Sequence, residues 1–217
     1  MKLSLSLTAM KTRKRLAVYA SRARDYQVIS KALTKASMDF TILDPSKPPP
    51  REVGVVVTAK EDLEKLRGLR DVKVVGVEVG EQEALIVARA ALALHGKPKF
   101  GELVVGIDPG CSYGLAFIAD STLIGFGVYR EAEEMLKLVK DVVEAGLSAR
   151  AVVRVGGGSP QHRDRVLAML KEGLRGVQLE VVDEAEAPTL IYPQLAEGLP
   201  KDAASAVRIA LKKGLTV

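Results

Sequence analysis

Apolar residues in the first hundred positions form short runs separated by segments with helical spacing. Apolar runs at 16–20, 40–43, 53–58 and 72–77 predict strands, and segments 25–37, 61–69 and 81–95 predict helices between and after them. The run at 53–58 is almost entirely apolar and β-branched, which is typical of a strand covered on both faces. This order predicts a small parallel α/β sheet of the flavodoxin or receiver type.

A domain boundary is expected directly after the third helix. Gly96 and the following Lys97-Pro98-Lys99 form a helix-ending sequence. The chain is therefore divided into residues 1–98 and 101–217. Within the first part, four prolines between positions 45 and 50 exclude regular structure and predict a loop.

The second part begins with strand-like runs that are more closely spaced than those of the first part. Strand-like runs at 103–107, 114–119 and 122–128 are separated by a few residues each, which favours an antiparallel meander over crossover helices. Helices predicted at 131–144, 159–172 and 202–213 then alternate with strands at 151–155 and 177–182. The expected second unit is a mixed α/β sheet.

Charge is distributed unevenly between the two parts. The 217 residues carry a formal net charge of +5. Positions 1–100 hold 19 basic and 11 acidic residues, a net of +8, and positions 101–217 hold 13 basic and 16 acidic residues, a net of −3. A basic unit joined to an acidic one indicates nucleic acid as the first partner to consider.

The basic excess includes a cluster near the start of the chain. Its members are Lys11, Arg13, Lys14, Arg15, Arg22 and Arg24. Cations of this kind contact phosphates without reading sequence, so we expect them to bind DNA or RNA. The N-terminal unit has an alternative use in dimerisation, as part of a homodimer, or in regulation.

Composition excludes several classes of protein. Cys111 is the single cysteine and the chain has two histidines, which excludes an internal disulfide and a Cys/His zinc cluster from this chain alone. A bound metal would need oxygen ligands. The N-terminal apolar run is too short for a secretory signal and no stretch is long enough to span a membrane, so we expect a cytoplasmic protein. The absence of Asn favours a thermophilic source.

Three short motifs in the second part resemble a known superfamily. They are 106–110 (GIDPG) with 113–116 (YGLA), 182–185 (VDEA) and 202–206 (DAASA). Together with the predicted element order they resemble the RuvC-like branch of the ribonuclease H-like superfamily, and 182–185 is similar to the signature of the YqgF family of pre-16S rRNA nucleases and junction resolvases. The resemblance covers about residues 101–217 and implies a ribonuclease H-like fold.

The acidic residues of these motifs are the candidate catalytic and metal-binding groups. Asp108 ends a predicted central strand, where open α/β sheets place their sites, and Glu184 and Asp202 would converge on it. Such carboxylates suit Mg²⁺ or Mn²⁺, and two ions about 3.5–4 Å apart can assist phosphodiester hydrolysis. The implied activity is cleavage of a structured nucleic acid, a Holliday junction or an rRNA precursor. Each residue has an alternative role in a turn, a helix cap or a solvated loop.

One departure from the resolvase pattern favours a second hypothesis. Resolvases of the RuvC type carry an acid at the end of the fourth strand, where this sequence has Arg154 within 151–155. The YqgF family typically lacks that acid. A catalytically degenerate nucleic-acid-binding or scaffolding protein is therefore the alternative.

A glycine-rich turn offers a third hypothesis. Gly157, Gly158 and Ser159 precede a predicted helix, where free backbone N–H groups can bind an anion. With the motif at 106–110, the turn is similar to the nucleotide-binding motifs of the actin, Hsp70 and sugar-kinase group. Those ATP-binding proteins need two such subdomains, and a second hairpin signature is missing here, so this hypothesis ranks third.

Overall fold

The computed structural model describes residues 15–183 and 195–217, and its first half contains a four-stranded parallel sheet. The strands are β1 (Arg15–Tyr19), β2 (Phe40–Ile42), β3 (Val53–Ala59) and β4 (Lys73–Val77), in the spatial order β2-β1-β3-β4. All three neighbouring pairs are parallel. Every residue of β3 is buried, as its β-branched run predicts. The predicted parallel α/β unit is confirmed.

The helices of this unit follow the predicted order with one difference in type. Helix α1 (Ala23–Lys35) and helix α2 (Glu83–His95) are α-helical, whereas Lys60–Leu66 forms a 3₁₀ helix. A charged segment this short has little intrinsic α-helical stability. Tertiary contacts set its geometry instead, because the carboxylate of Asp62 accepts hydrogen bonds from the backbone N–H and the hydroxyl of Ser21 at 2.7 and 2.6 Å.

A six-stranded mixed sheet forms the second half. Its strands are β5 (Phe100–Pro109), β6 (Tyr113–Ala119), β7 (Thr122–Tyr129), β8 (Ser148–Gly156), β9 (Gln178–Val182) and β10 (Leu215–Thr216), in the order β10-β9-β8-β5-β6-β7. Strands β5 to β7 form the predicted antiparallel meander, and β8 and β9 add in parallel. The first five strands thus have the order 3-2-1-4-5 expected of a ribonuclease H-like fold. The short β10 was not predicted.

Three helices cover the two faces of this sheet. Helices α3 (Ala132–Glu144) and α4 (Pro160–Gly173) pack on one face, and helix α5 (Lys201–Leu211) packs on the other. Along β6 the faces alternate, so that Leu115 and Phe117 join the first layer while Ala116 and Ile118 contact α5. In the part of the chain that the structure describes, no helix is long and apolar enough to cross a membrane.

Helix α2 connects the two sheets. Nine of its residues are buried, from Ala84 to Ala93, and it packs against both β3 and β7. A Cβ atom on Gly125 of β7 would lie 2.8 Å from the Cβ of Ala84, so the close approach of strand and helix requires this glycine. One continuous hydrophobic core consequently includes residues from both sheets.

Candidate functional site

Asp108 lies at the carboxyl end of β5, the central strand of the mixed sheet. In the strand pairing it stands opposite Gly114 of β6. On the other side of β5, Ile107 pairs with Val155, which places Gly156 beside Asp108 in the next row. Alternation along the strand puts Asp108 on the same face as Gly106, the face covered by α5. The carboxylate therefore belongs to the edge where the first turn of α5 begins.

Two glycines allow α5 to lie directly on the strands. A Cβ on Gly106 would come within 2.1 Å of the carbonyl oxygen of Ala206, and one on Gly114 would come within 2.0 Å of the carbonyl oxygen of Asp202. The same Gly114 position is 3.2 Å from the Cβ of Asp108. Side chains of ordinary size at these two positions would push the helix away. The structure thus brings the backbone of Asp202 and the Cβ of Asp108 close to the same point on the α5 face of Gly114.

Asp202 is held by a hydroxyl group rather than serving as a helix cap. The N-cap of α5 is Pro200, and Asp202 lies in the first turn. Its Oδ2 accepts a hydrogen bond of 2.5 Å from Ser112 Oγ, in the turn between β5 and β6. The helix dipole also favours a negative charge at this end. Ser112 was not among the predicted site residues, although its place in the hairpin beside Asp108 is a signal for it.

The third predicted carboxylate, Glu184, lies outside the described residues. Its neighbour Asp183 follows β9 and is exposed, and its carbonyl oxygen accepts a hydrogen bond from Lys212 Nζ. Within residues 15–183 and 195–217, no three His, Cys, Asp or Glu side chains are grouped closely enough to hold a metal ion. The oxygen donors of Asp108 and Asp202 still fit the chemistry of Mg²⁺ or Mn²⁺, which often bind one or two carboxylates together with water and substrate phosphate.

Arg154 has a structural role two residues before the site. The register pairs it with Gly106, so the residue beside Asp108 is Gly156 and not Arg154. The Arg154 side chain is buried and donates to Glu180 Oε2 at 2.8 Å and to the carbonyl oxygen of Ala210 at 2.5 Å. It therefore ties β8 to β9 and to the last turn of α5. Arg154 is therefore not a neighbour of Asp108 in the sheet.

The glycine turn before α4 is partly engaged in backbone pairing. The Gly157 N–H donates to the carbonyl oxygen of Val182 at 2.8 Å, so this group helps to extend the sheet. Ser159 is the N-cap of α4, and its side chain makes no capping hydrogen bond. Gly158 lies between them and is exposed. An anion at Gly157, Gly158 and Ser159 remains a prediction.

The basic cluster is partly covered by the described residues. Lys11, Arg13 and Lys14 lie outside them. Arg15 begins β1, and its N–H donates to the carbonyl oxygen of Glu52. Arg22, the N-cap of α1, and Arg24, in its first turn, are both exposed. Because α1 begins after the carboxyl end of β1, these two cations lie at that edge of the parallel sheet.

Comparisons with known proteins give weak structural likenesses. No family model matches the chain, and no curated protein matches it significantly. RuvC from Thermus thermophilus is similar at 18% identity and a TM-score of 0.38, over 50% of this chain and 90% of that one. T. thermophilus RuvC in complex with a Holliday junction substrate gives the same identity and coverage with a TM-score of 0.35. Argonaute from Marinitoga piezophila with a guide RNA is 9% identical, with a TM-score of 0.27, over 79% of this chain and 40% of that one. The fold assignment rests on the strand order.

Proposed function

We propose that this protein is a metal-dependent endonuclease that hydrolyses phosphodiester bonds in a structured nucleic acid, a Holliday junction or an rRNA precursor. The observation that carries the proposal is that Asp108 and the first turn of α5 with Asp202 both lie against Gly114, at the carboxyl edge of a 3-2-1-4-5 sheet. Carboxylates at one sheet edge repel one another when ionised, and a divalent cation between them would relieve that repulsion.

Three residues would hold the ion. Asp108 and Asp202 lie among the residues that the structure describes, and Glu184, which lies outside them, is the third predicted ligand. A bound Mg²⁺ or Mn²⁺ supplies activation of water and neutralisation of charge on the phosphate. Ser112 fixes one carboxylate oxygen of Asp202 through its hydrogen bond. The hydroxyl thereby orients the carboxylate before substrate arrives, which is the positioning that catalysis requires.

The N-terminal unit would add affinity for the nucleic acid. Arg22 and Arg24 are exposed and make no ion pair with any residue that the structure describes. Their charges are therefore available to phosphates, in addition to the basic residues that precede β1. Contacts of this kind depend strongly on salt and weakly on sequence.

The absence of an acidic residue beside Asp108 on β8 favours a second function, nucleic-acid binding without cleavage. Gly156 occupies the place beside Asp108 on β8, so that strand contributes no carboxylate. A protein with this incomplete set of carboxylates would bind nucleic acid as a scaffold without cutting it. The two proposals predict the same binding and differ in cleavage.

One experiment separates them. The purified chain is incubated with labelled four-way junction, structured RNA and single strands in Mg²⁺ or Mn²⁺, and Asp108→Asn is compared with Asp39→Asn, an exposed aspartate in the other unit. Cleavage by the wild type and by Asp39→Asn that is lost in Asp108→Asn supports the nuclease. Salt-sensitive binding without cleavage supports the scaffold. Cleavage that persists in Asp108→Asn contradicts the assignment of the site.

A further inference from the structure

A cavity of about 250 Å³ lies between α1, the start of α2 and strand β7. On the helix side the cavity is lined by small side chains, among them Ala32 of α1, Ala36 at its C-cap and Ala84 of α2. Its volume is below the range of about 300–1,000 Å³ that is typical for drug-sized ligands. The space is therefore suited to one small ring system.

Aromatic side chains form much of the opposite wall. Phe117, Phe126 and Tyr129 line the cavity, which is a third of the nine aromatic residues in the chain. The Tyr129 ring lies over Gly127, where a Cβ atom would approach the ring carbon Cε2 and the hydroxyl to 2.7 Å each. Gly127 thus lets the ring rest against the strand. Phe117 is buried, so Phe126 and Tyr129 are the partly exposed rings of this wall, and aromatic rings bind other planar rings by stacking.

Hydrogen-bonding groups stand at the same wall. Lys35 is the one cation among the lining residues; its Nζ is 3.1 Å from Glu83 Oε2 and 5.0 Å from the centre of the Phe126 ring. Burial, followed by the negative charges of Glu134 and Glu83, raises the pKa of Tyr129, so its hydroxyl remains protonated and able to donate. Within the described residues, that hydroxyl has no hydrogen-bond acceptor.

These groups favour a neutral ligand over an anion. The cation of the lining, Lys35, is paired with Glu83, a carboxylate that also pairs with Lys31 at 2.9 Å, so a free phosphate would have to compete with Glu83 for these lysines. A planar heterocycle with ring nitrogen and carbonyl groups can stack on the aromatic wall and also exchange hydrogen bonds with Glu83 and Tyr129. Purine and pyrimidine bases have this chemistry.

We propose that the cavity between α1, α2 and β7 binds a single nucleobase, supplied either by a free nucleoside or by one base of a nucleic-acid strand. The site is separate from the carboxylate pair. Phe117 faces the α3 side of the mixed sheet, whereas Gly114 on the same strand faces α5. Nucleobase binding is therefore independent of the proposed nuclease activity.

Binding is measured by isothermal titration in EDTA, so that cleavage plays no part. The probes are adenosine, guanosine, cytidine and uridine, with ribose 5-phosphate as the probe without a base, and single strands of five nucleotides. Ala36→Leu fills the cavity, and Gly127→Ala displaces the Tyr129 ring without removing it. Ala168→Leu is the matched control, because Ala168 is an exposed alanine in the middle of α4. Circular dichroism verifies that each variant is folded.

We expect at least one nucleoside or strand to bind and ribose 5-phosphate not to bind. Both cavity variants should weaken the binding at least tenfold, while Ala168→Leu changes it less than twofold. Comparable affinity for nucleoside and strand identifies a small-molecule ligand. Binding of strands alone, weakened equally by the cavity variants, identifies a base within a strand. Binding of neither probe, or equal affinity in Ala36→Leu, Gly127→Ala and Ala168→Leu, overturns the proposal.

Discussion

Replacing Arg154 with methionine tests whether this residue stabilises the fold. Its guanidinium is buried against Glu180, and the same carboxylate accepts hydrogen bonds from the Gln178 side chain at 2.7 Å and the Gly214 N–H at 3.2 Å. Burial raises the pKa of Glu180, but the hydrogen bonds from Arg154 and Gly214 outweigh it and lower the pKa below its usual value. The carboxylate is therefore charged at neutral pH. Arg154→Met would leave that charge buried without its cation.

The expected loss of folding free energy in Arg154→Met follows from these buried contacts. Removing one partner of a buried ion pair typically destabilises a protein by about 3–5 kcal/mol. The lost hydrogen bond to the carbonyl oxygen of Ala210 adds about 1 kcal/mol. Removing both charges in Arg154→Met/Glu180→Leu takes away the unpaired carboxylate as well. The double variant should thus lose less than the sum of the single variants, with a coupling of about 1–3 kcal/mol.

Urea unfolding followed by far-UV circular dichroism at pH 7 measures these free energies. Arg150→Met is the matched control on the same strand, because Arg150 is 58% exposed and its ion pair with Glu102 spans 3.6 Å. Exposed pairs contribute about 1 kcal/mol or less. If Arg154→Met costs no more than Arg150→Met, or if the two single effects simply add in the double variant, the argument for a buried structural pair is wrong.

Three further predictions concern other parts of the chain. Burial of Asp62 opposes its ionisation, but hydrogen bonds lower its pKa from 3.8 to about 2. This lowered pKa stabilises the fold by about 2 kcal/mol above pH 4, and the stabilisation is lost as the pH falls from 4 to 2. Asp62→Asn should therefore remove that part of the loss of stability in acid. Gly114→Ala should destabilise the chain by about 3 kcal/mol in urea unfolding and reduce cleavage, since the new Cβ would meet a backbone oxygen of α5. The control Gly101→Ala should cost under about 1 kcal/mol, because its Cβ would lie 3.3 Å from a side-chain oxygen. Replacing Arg22 and Arg24 with alanine should reduce the slope of log affinity against log salt by about 2 for duplex DNA, and an unchanged slope would remove them from the interface.

The order of elements was predictable because the hydrophobic pattern changes at each boundary. The β-branched run that became β3 and the closely spaced strands β5 to β7 carry strong local signals. Strand β10 carries no such signal, since Leu215 is 80% exposed and the strand forms only by pairing with β9. The 3₁₀ helix depends on the contact between Asp62 and Ser21, which are far apart in sequence. Both β10 and the 3₁₀ helix thus depend on contacts between distant segments, which the local hydrophobic pattern does not show.

The candidate site was partly predictable for the same reason. The motif around Asp108 and the start of the last helix were visible in the sequence, and the structure places Asp108 and the first turn of α5 with Asp202 against Gly114. The strand register was not visible in the sequence, and it places Gly156 rather than Arg154 beside Asp108. The hydrogen bond from Ser112 depends on where α5 rests against the meander. Glu184 remains a prediction.

Single-turnover cleavage in Mn²⁺ shows whether Asp108 and Asp202 form the active site. Wild type, Asp108→Asn, Asp202→Asn and the exposed control Asp39→Asn are compared on the substrate that the wild type cuts. Loss of a metal-holding carboxylate removes several kcal/mol of charge stabilisation, so we expect Asp108→Asn and Asp202→Asn to cleave at least about a hundredfold more slowly than the wild type. Asp39→Asn should cleave at the wild-type rate. Equal rates in all four proteins would contradict the assignment of Asp108 and Asp202 to the active site.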